Sequence, residues 1–329
     1  MDEARHFALI VGLSEYPAVG KLKGPLNDLQ DVRNWLMTDL RVPEANIIRW
    51  TDTPPQYRRP SADDFYDWVL DWVEKARQTR GRFPLGERLY VYYAGHGYNA
   101  TTGQQSMIMP RSTPETWNVV PMVPLRESLR LRAHFEEIVV VFDACRDVLG
   151  YAIDAVWLDQ PPAAPDSNQV KVFSAFASKT GKKAKEVDFG NGKWAGVLTQ
   201  AFLAGARGYA ADENGVVYAQ AMKKFLIAAV KDRLGVDYEP DIDDGSDPND
   251  PPWPLFQATR KLPRIVIQPV MTKKGEASFR HIRSGETVKV DLSTGTQVRE
   301  VPSGYYGLTL PGRDEQKIIA AWEEKVVEV

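Results

Sequence analysis

One cysteine among 329 residues excludes an intrachain disulfide, so packing has to hold the fold, as in a reducing compartment. No run approaches the ~18 apolar residues of a spanning helix. The N-terminal "MDEARHFALIVGLSEY" is acidic before a short apolar stretch, unlike a secretory signal. A cytoplasmic protein with no membrane partner is expected, and Asn99-Ala100-Thr101 is then a chance match to the glycosylation pattern. Positive charge is not in surplus either: 41 Lys and Arg face 44 Asp and Glu, for a net −3. That balance disfavours nucleic acid as a partner. Internal repeats are lacking, and so is low complexity beyond one acidic loop.

What the chain does have is core, with 43% hydrophobic residues. Strand-like apolar runs alternate with stretches of helical period, which predicts an α/β fold with a mostly parallel sheet and helices on both faces. Strands are expected at 6–13, 46–52, 88–97, 137–145 and 170–178. Helices are expected over "LNDLQDVRNWLMTDL", after the N-cap candidate Ser61, from Pro124 to about His134, around Trp194 to Phe202, and over Met222 to Val230. The stretch between 97 and 124 reads as irregular, and 158–169 as a proline-rich connector. Asp, Gly and Pro in 237–254 argue against regular structure there. Residues 1–262 thus form one predicted domain. Residues 263–329 form a small all-β unit, with "DEQKIIAAW" a candidate helix.

Two of the strands end in chemistry. "RLYVYYAGHG" closes on His96 between two glycines, and "EIVVVFDAC" closes on Cys145, 49 residues later. Parallel α/β sheets carry their sites at the carboxyl ends of strands, and a thiol nucleophile needs a base beside it. If the two strands are neighbours, both side chains reach one sheet edge. A lone strand-end cysteine is more often an inert core thiol, and a lone histidine is more often structural. The pair, at a spacing close to the roughly 50 residues between His and Cys in caspases, favours catalysis.

"YVYYAGHG" and "VVVFDAC" resemble the His and Cys motifs of caspase-like cysteine peptidases, more closely those of metacaspases and paracaspase-like bacterial relatives than those of animal caspases. "ALIVGLSEY", "LKGPLNDLQDV", "FSAFAS" and "GKWAGVLTQAFLAG" extend the resemblance over roughly residues 5 to 260. It implies a caspase-like three-layer α/β/α domain that hydrolyses peptide bonds in a protein substrate. Cys145 would be the nucleophile, His96 its acid and base, and the backbone N–H groups of Gly97 and Cys145 the oxyanion donors. That chemistry needs no metal or other cofactor. Calcium, which some relatives need, stays open, although the acidic loop fails the EF-hand pattern.

Asp143 stands two residues before the nucleophile, where the caspase signature has Gln, and a buried acid there is costly without a cation. In the relatives this Asp and another, here Asp28 of "GPLNDL", line the S1 pocket. Cleavage after Arg or Lys is therefore expected. Stabilising a helix start is an equally good role for Asp28. Asp147 has no counterpart. Residues 147–170 lack Lys and Arg, so self-cleavage would fall in "SKTGKKAKEV" or at Arg58 and Arg59. Activation by another protease or a regulatory protein, and a role in bacterial defence or cell death, are the expected context. The competing readings are a catalytically silent caspase-fold scaffold and another thiol enzyme such as an acyltransferase.

Overall fold

The computed structural model describes residues 5–52, 59–80, 85–99, 105–113, 115–145, 153–155, 163–179, 184–190, 192–212, 214–247, 249–258, 264–268, 275–281, 287–301, 304–310, 316–321 and 325–328. Arg58 and Asp147 lie outside them, as does 180–183 of "SKTGKKAKEV".

Strands β1 (His6–Gly12), β2 (Ile47–Thr51) and β3 (Gly86–Ala94) alternate with helices α1 (Pro25–Thr38) and α2 (Ala62–Arg80). Three short strands follow, β4 (Gly97–Asn99), β5 (Gln105–Ile108) and β6 (Trp117–Pro121), then α3 (Met122–Leu131) and β7 (Phe135–Asp143). Next come β8 (Ile153–Ala155), β9 (Lys171–Phe176), the hairpin β10 (Glu186–Asp188) and β11 (Trp194–Gly196), and α4 (Val197–Ala204). The remaining elements before the tail are β12 (Val216–Tyr218), α5 (Ala219–Leu234), β13 (Asp241–Asp243) and β14 (Pro254–Gln257).

The chain divides into two compact units, residues 1–203 with 233–252, and residues 204–232 with 253–329. The first is built on a six-stranded sheet in the order β13-β9-β7-β3-β1-β2. Every pairing in it is parallel except that of β13 with β9. β1 is buried along its whole length, as expected of a strand covered on both faces. Its neighbours lie on opposite sides, β2 on one and β3 on the other, and the topology reverses direction there. Ligand sites of open α/β sheets form beside such a point, at the carboxyl ends of the strands.

α1 starts with Pro25 and buries Leu29, Val32, Trp35 and Leu36, the face that the 3.6-residue period marks. α2 packs Phe65 and Val69 into the core with the half-buried Trp72 against it. At the end of the sheet opposite the carboxyl ends of the parallel strands, Phe135 stacks on Trp72 (centroids 6.2 Å apart) and meets Phe7 at 5.6 Å.

Several expectations are corrected. The described part of the stretch after His96 holds regular structure, because its strands β4, β5 and β6 join β8 in a second sheet of four strands. Their lengths, from three to five residues, are too short to show a period. α3 opens at Met122 rather than Pro124, which falls within its first turn where a missing N–H costs nothing. Trp194 lies on β11, so α4 begins only at Val197. The acidic 237–254 segment contributes β13 at the sheet edge, and its acids are engaged locally: Lys179 pairs with Glu239 at 2.9 Å, and Asp243, Asp244 and Asp247 accept turn hydrogen bonds.

The second unit pairs β12 with β14 beside α5. It also holds β15 (Arg264–Gln268), β16 (Glu276–His281), β17 (Thr287–Asp291), β18 (Gln297–Glu300), β19 (Gly304–Thr309), β20 (Gln316–Ala321) and β21 (Lys325–Glu328). "DEQKIIAAW" thus contains strand β20, paired antiparallel with β19, and the partner strand outweighs its helical propensity. Ile265, Ile267, Phe279, Val290, Leu308 and Val327 form this unit's own core.

Phe135 is 1% exposed, so Phe135→Ala should cost about 3–5 kcal/mol through lost burial and a cavity. Chemical denaturation checks this as a lowered midpoint with an unchanged slope.

Candidate active site

The parallel pairing of β3 with β7 sets Ala94 directly opposite Asp143. Two residues beyond these partners, on the same sheet edge, stand His96 and Cys145. Glycine is required between them: a Cβ on Gly97 would lie 2.3 Å from the Cys145 carbonyl oxygen. The two loops therefore touch backbone to backbone. His96 and Cys145 line one pocket of about 440 Å³, open mouth included, together with Asp28, Asp143, Glu186 and Gly196.

His96 is half-buried, and its Nε2 lies 3.1 Å from the Gly20 carbonyl oxygen. A carbonyl only accepts, so Nε2 carries the proton and Nδ1 is left as the basic nitrogen. Burial holds the imidazole below its ordinary pKa, only partly offset by the Gly20 bond and by Glu186. The ring is thus neutral at pH 7 and ready to take a proton. Gly20 has φ +95°, a conformation that favours glycine. Cys145 is partly buried, and its Sγ lies 3.7 Å from the Ala184 carbonyl oxygen.

Beside this pair stand two buried carboxylates. Asp28 is 2% and Asp143 7% exposed, and among the described residues no cationic side chain pairs with either. Their partners come from the start of α4. The Thr199 N–H and hydroxyl donate to Asp143 Oδ2 at 2.9 and 2.7 Å. The Gly196 N–H donates to Asp28 Oδ2 at 2.8 Å, and Gln200 Nε2 to Asp28 Oδ1 at 3.3 Å. Helix starts have orphan N–H groups and a partial positive charge, which compensates part of the carboxylates' lost hydration. The compensation is incomplete. Burial pushes Asp143 up to about 6, and burial together with repulsion from Asp143 pushes Asp28 well above the usual carboxylate range. A Cβ on Gly196 would meet Asp143 Oδ2 at 2.1 Å, so only glycine lets both acids approach this turn.

The hairpin β10–β11 closes the pocket from the other side. Glu186 accepts from the N–H groups of Lys23 and Gly24, with the Gly24 bond at 2.8 Å. Asn27 Nδ2 donates to the Trp194 carbonyl at 2.8 Å, and Lys193 pairs with Asp31 at 2.7 Å. Glu186, Gly196, Thr199 and Gln200 were not singled out from the sequence as site residues. The available signal was the Gly-x-x-Thr start of α4 in "GVLTQ", the spacing at which an N-terminal turn offers donors. Among the described residues no group of three or more His, Cys, Asp or Glu is gathered to hold a metal ion. No helix among them is long and apolar enough to cross a membrane.

This geometry has a family. Residues 5–233 match the model of the caspase domain. The chain belongs to the caspase-domain family, whose fold is that of a cysteine-type peptidase. A Desulfuromonadales bacterium protein named Probable protease is 30% identical over 227 residues, which is 62% of this chain and 26% of that protein. Metacaspase-1A of Aspergillus oryzae is 23% identical over 193 residues, 52% of this chain and 42% of its own length. The chain therefore spans less than half of either relative. Caspase-1 from Spodoptera frugiperda aligns over 78% of this chain and 88% of its own at 11% identity, with a TM-score of 0.44.

The raised Asp143 carboxyl gives a stability prediction with a definite sign. A group whose pKa is higher folded than unfolded stabilises below its unfolded pKa, and that stability is lost as pH rises through the folded value. Relative to the isosteric Asp143→Asn, the wild-type caspase domain should lose stability between its ordinary 3.8 and about 6. Denaturant midpoints of the two proteins across that range check it.

Proposed function

We propose that this caspase-domain protein is a cysteine endopeptidase that cleaves protein substrates after Arg or Lys. Cys145 gives its thiol proton to His96 and attacks the scissile carbonyl, forming a C–S bond. The N–H groups of Gly97 and Cys145 receive the developing oxyanion, and the Gly97–Cys145 contact supports that role. The C–N bond then breaks, and His96 returns the proton to the leaving amine. Water, deprotonated by His96, hydrolyses the thioester and restores the thiol. None of these steps calls on a cofactor.

The observation that carries the specificity is the acid pair. Asp28 and Asp143 are buried, without a cationic partner among the described residues, in the pocket that holds the dyad. An incoming guanidinium supplies the missing cation, and a carboxylate can take it by two parallel hydrogen bonds. An acidic P1 side chain would add further negative charge to a site already hard to ionise. Asp28 lies in the first turn of α1, but its carboxylate is turned to the Gly196 N–H before α4, which supports the role in the pocket over one at its own helix start. A regulated effector in bacterial defence or cell death, activated by another protein, is the context we assign on the resemblance alone.

A peptide-library cleavage profile tests the proposal. Cleavage should follow Arg and Lys. Replacing Cys145 or His96 by Ala should lower kcat by about 10³-fold or more. Asp143→Asn should lower kcat/KM on Arg substrates by about 10–100-fold, the scale of a lost charge-assisted bond. Cleavage after Asp, or an unchanged Asp143→Asn enzyme, contradicts it.

A further inference from the structure

The glycine before His96 has a different neighbour from the glycine after it. A Cβ on Gly95 would lie 2.3 Å from the Tyr16 hydroxyl and 2.4 Å from that of Tyr93. Two buried tyrosines thus converge on the backbone that carries the histidine. The Tyr93 hydroxyl donates to the His96 carbonyl at 2.7 Å. The His96 N–H donates to the Tyr16 oxygen at 3.1 Å, and the two hydroxyl oxygens are 3.0 Å apart. A phenol has one proton. That of Tyr93 is engaged by the His96 carbonyl, so the proton between the two hydroxyls comes from Tyr16. The result is a closed circuit: His96 N–H to Tyr16, Tyr16 O–H to Tyr93, Tyr93 O–H back to the His96 carbonyl. Burial raises the pKa of both phenols, which keeps them protonated as the circuit requires.

Tyr16 also reaches the imidazole. Its ring meets that of His96 edge-on at 4.8 Å. Its carbonyl accepts from the N–H of Gly20 at 3.0 Å, and Gly20 is the residue whose own carbonyl takes the His96 Nε2 proton. The loop that carries Tyr16 is in turn tied to the end of β2, where the buried Asp52 carboxylate accepts from the Ser14 N–H at 2.8 Å and from that of Glu15. Asp52, Tyr16 and Gly20 therefore connect the edge of the sheet to both the backbone and the ring of the histidine.

We propose that Tyr16 is a positioning residue for His96, setting by this circuit and by the Gly20 turn where the imidazole stands relative to Cys145. Its ring stays out of the chemistry. Removing its hydroxyl leaves the His96 N–H without a partner and Tyr93 without its donor, while the aromatic packing is kept. Removing the Tyr93 hydroxyl is milder, because the His96 carbonyl keeps the Ile108 N–H at 3.0 Å.

The proposal rests on the cysteine-peptidase reading, and its test is built to be separable from it. Cys145 is the only cysteine of the chain, so the rate of iodoacetamide alkylation against pH reports its thiolate alone, whether or not a peptide is cut. Tyr16→Phe should lower the alkylation rate near pH 6.5 by about fivefold or more and move its inflection upward, the response of a thiol whose base is misplaced. On an Arg-ended peptide it should lower kcat by about 10-fold or more with KM within about twofold, since only the reacting geometry is disturbed. Tyr93→Phe should show the same signature at smaller size, and it carries the test if Tyr16→Phe fails to fold. Tyr66→Phe, a buried tyrosine of α2 away from the site, should leave the alkylation profile unmoved whatever it does to Tm. A wild-type alkylation profile in the Tyr16→Phe and Tyr93→Phe proteins overturns the proposal, and so does an equal shift in Tyr66→Phe. No cleavage by wild type, with the alkylation shift present, would instead refute the peptidase reading and leave the positioning role standing.

Discussion

The site depends on one pairing. Because β3 and β7 run parallel as neighbours in a register that sets Ala94 against Asp143, two loops leave the sheet at one level and in one direction. A slip of one residue would turn every side chain of a strand to the opposite face. Asp143 would then leave the pocket, and the contact between Gly97 and Cys145 would be lost. The buried runs of both strands fix the register, so the core that stabilises the caspase domain also aligns the proposed dyad.

The acid pair shows a second constraint, in which the pocket stores unfavourable charge. Two carboxylates share one pocket, and among the described residues what opposes their repulsion is the first turn of α4 and its side chains. Tyr92 extends this arrangement, since its hydroxyl lies 2.9 Å from the Thr199 hydroxyl, whose proton is engaged by Asp143. Held this way, the acids keep fixed positions while remaining costly to ionise together. Under the proposed specificity, a cationic side chain that enters relieves the cost, so stability lost in the free domain becomes affinity for one class of substrate.

The sheet was legible in the sequence, and His96 and Cys145 stood out as candidates, because their signals are long or chemically distinctive. β1, β3 and β7 are strands of seven to nine residues built around apolar runs, and His96 and Cys145 follow two of them. The short strands β4 to β6, β8 and β13 left no trace, since three to five residues do not establish a period and non-local partners decide their pairing. Gly95 and Gly97 were legible as a pair that frees space around His96. Their distinct reasons, two tyrosine hydroxyls for one and the Cys145 backbone for the other, appear only in three dimensions. Asp28 and Asp143, 115 positions apart in the chain, could be joined from sequence only by resemblance. Glu186 reaches the pocket through hairpin geometry that no spacing rule encodes, whereas Thr199, which holds Asp143, left only the Gly-x-x-Thr spacing as a signal.

The central claim is that the acid pair and the dyad form one site that selects a basic side chain for attack by Cys145. The most direct measurement is intact-mass labelling with two peptidyl electrophiles that differ only in ending on Arg or on Asp. The expected result is one adduct on Cys145 from the Arg probe, formed at least about 100-fold faster than from the Asp probe and slowed in Asp143→Asn. Equal labelling by both probes, or faster labelling by the Asp probe, would contradict the account.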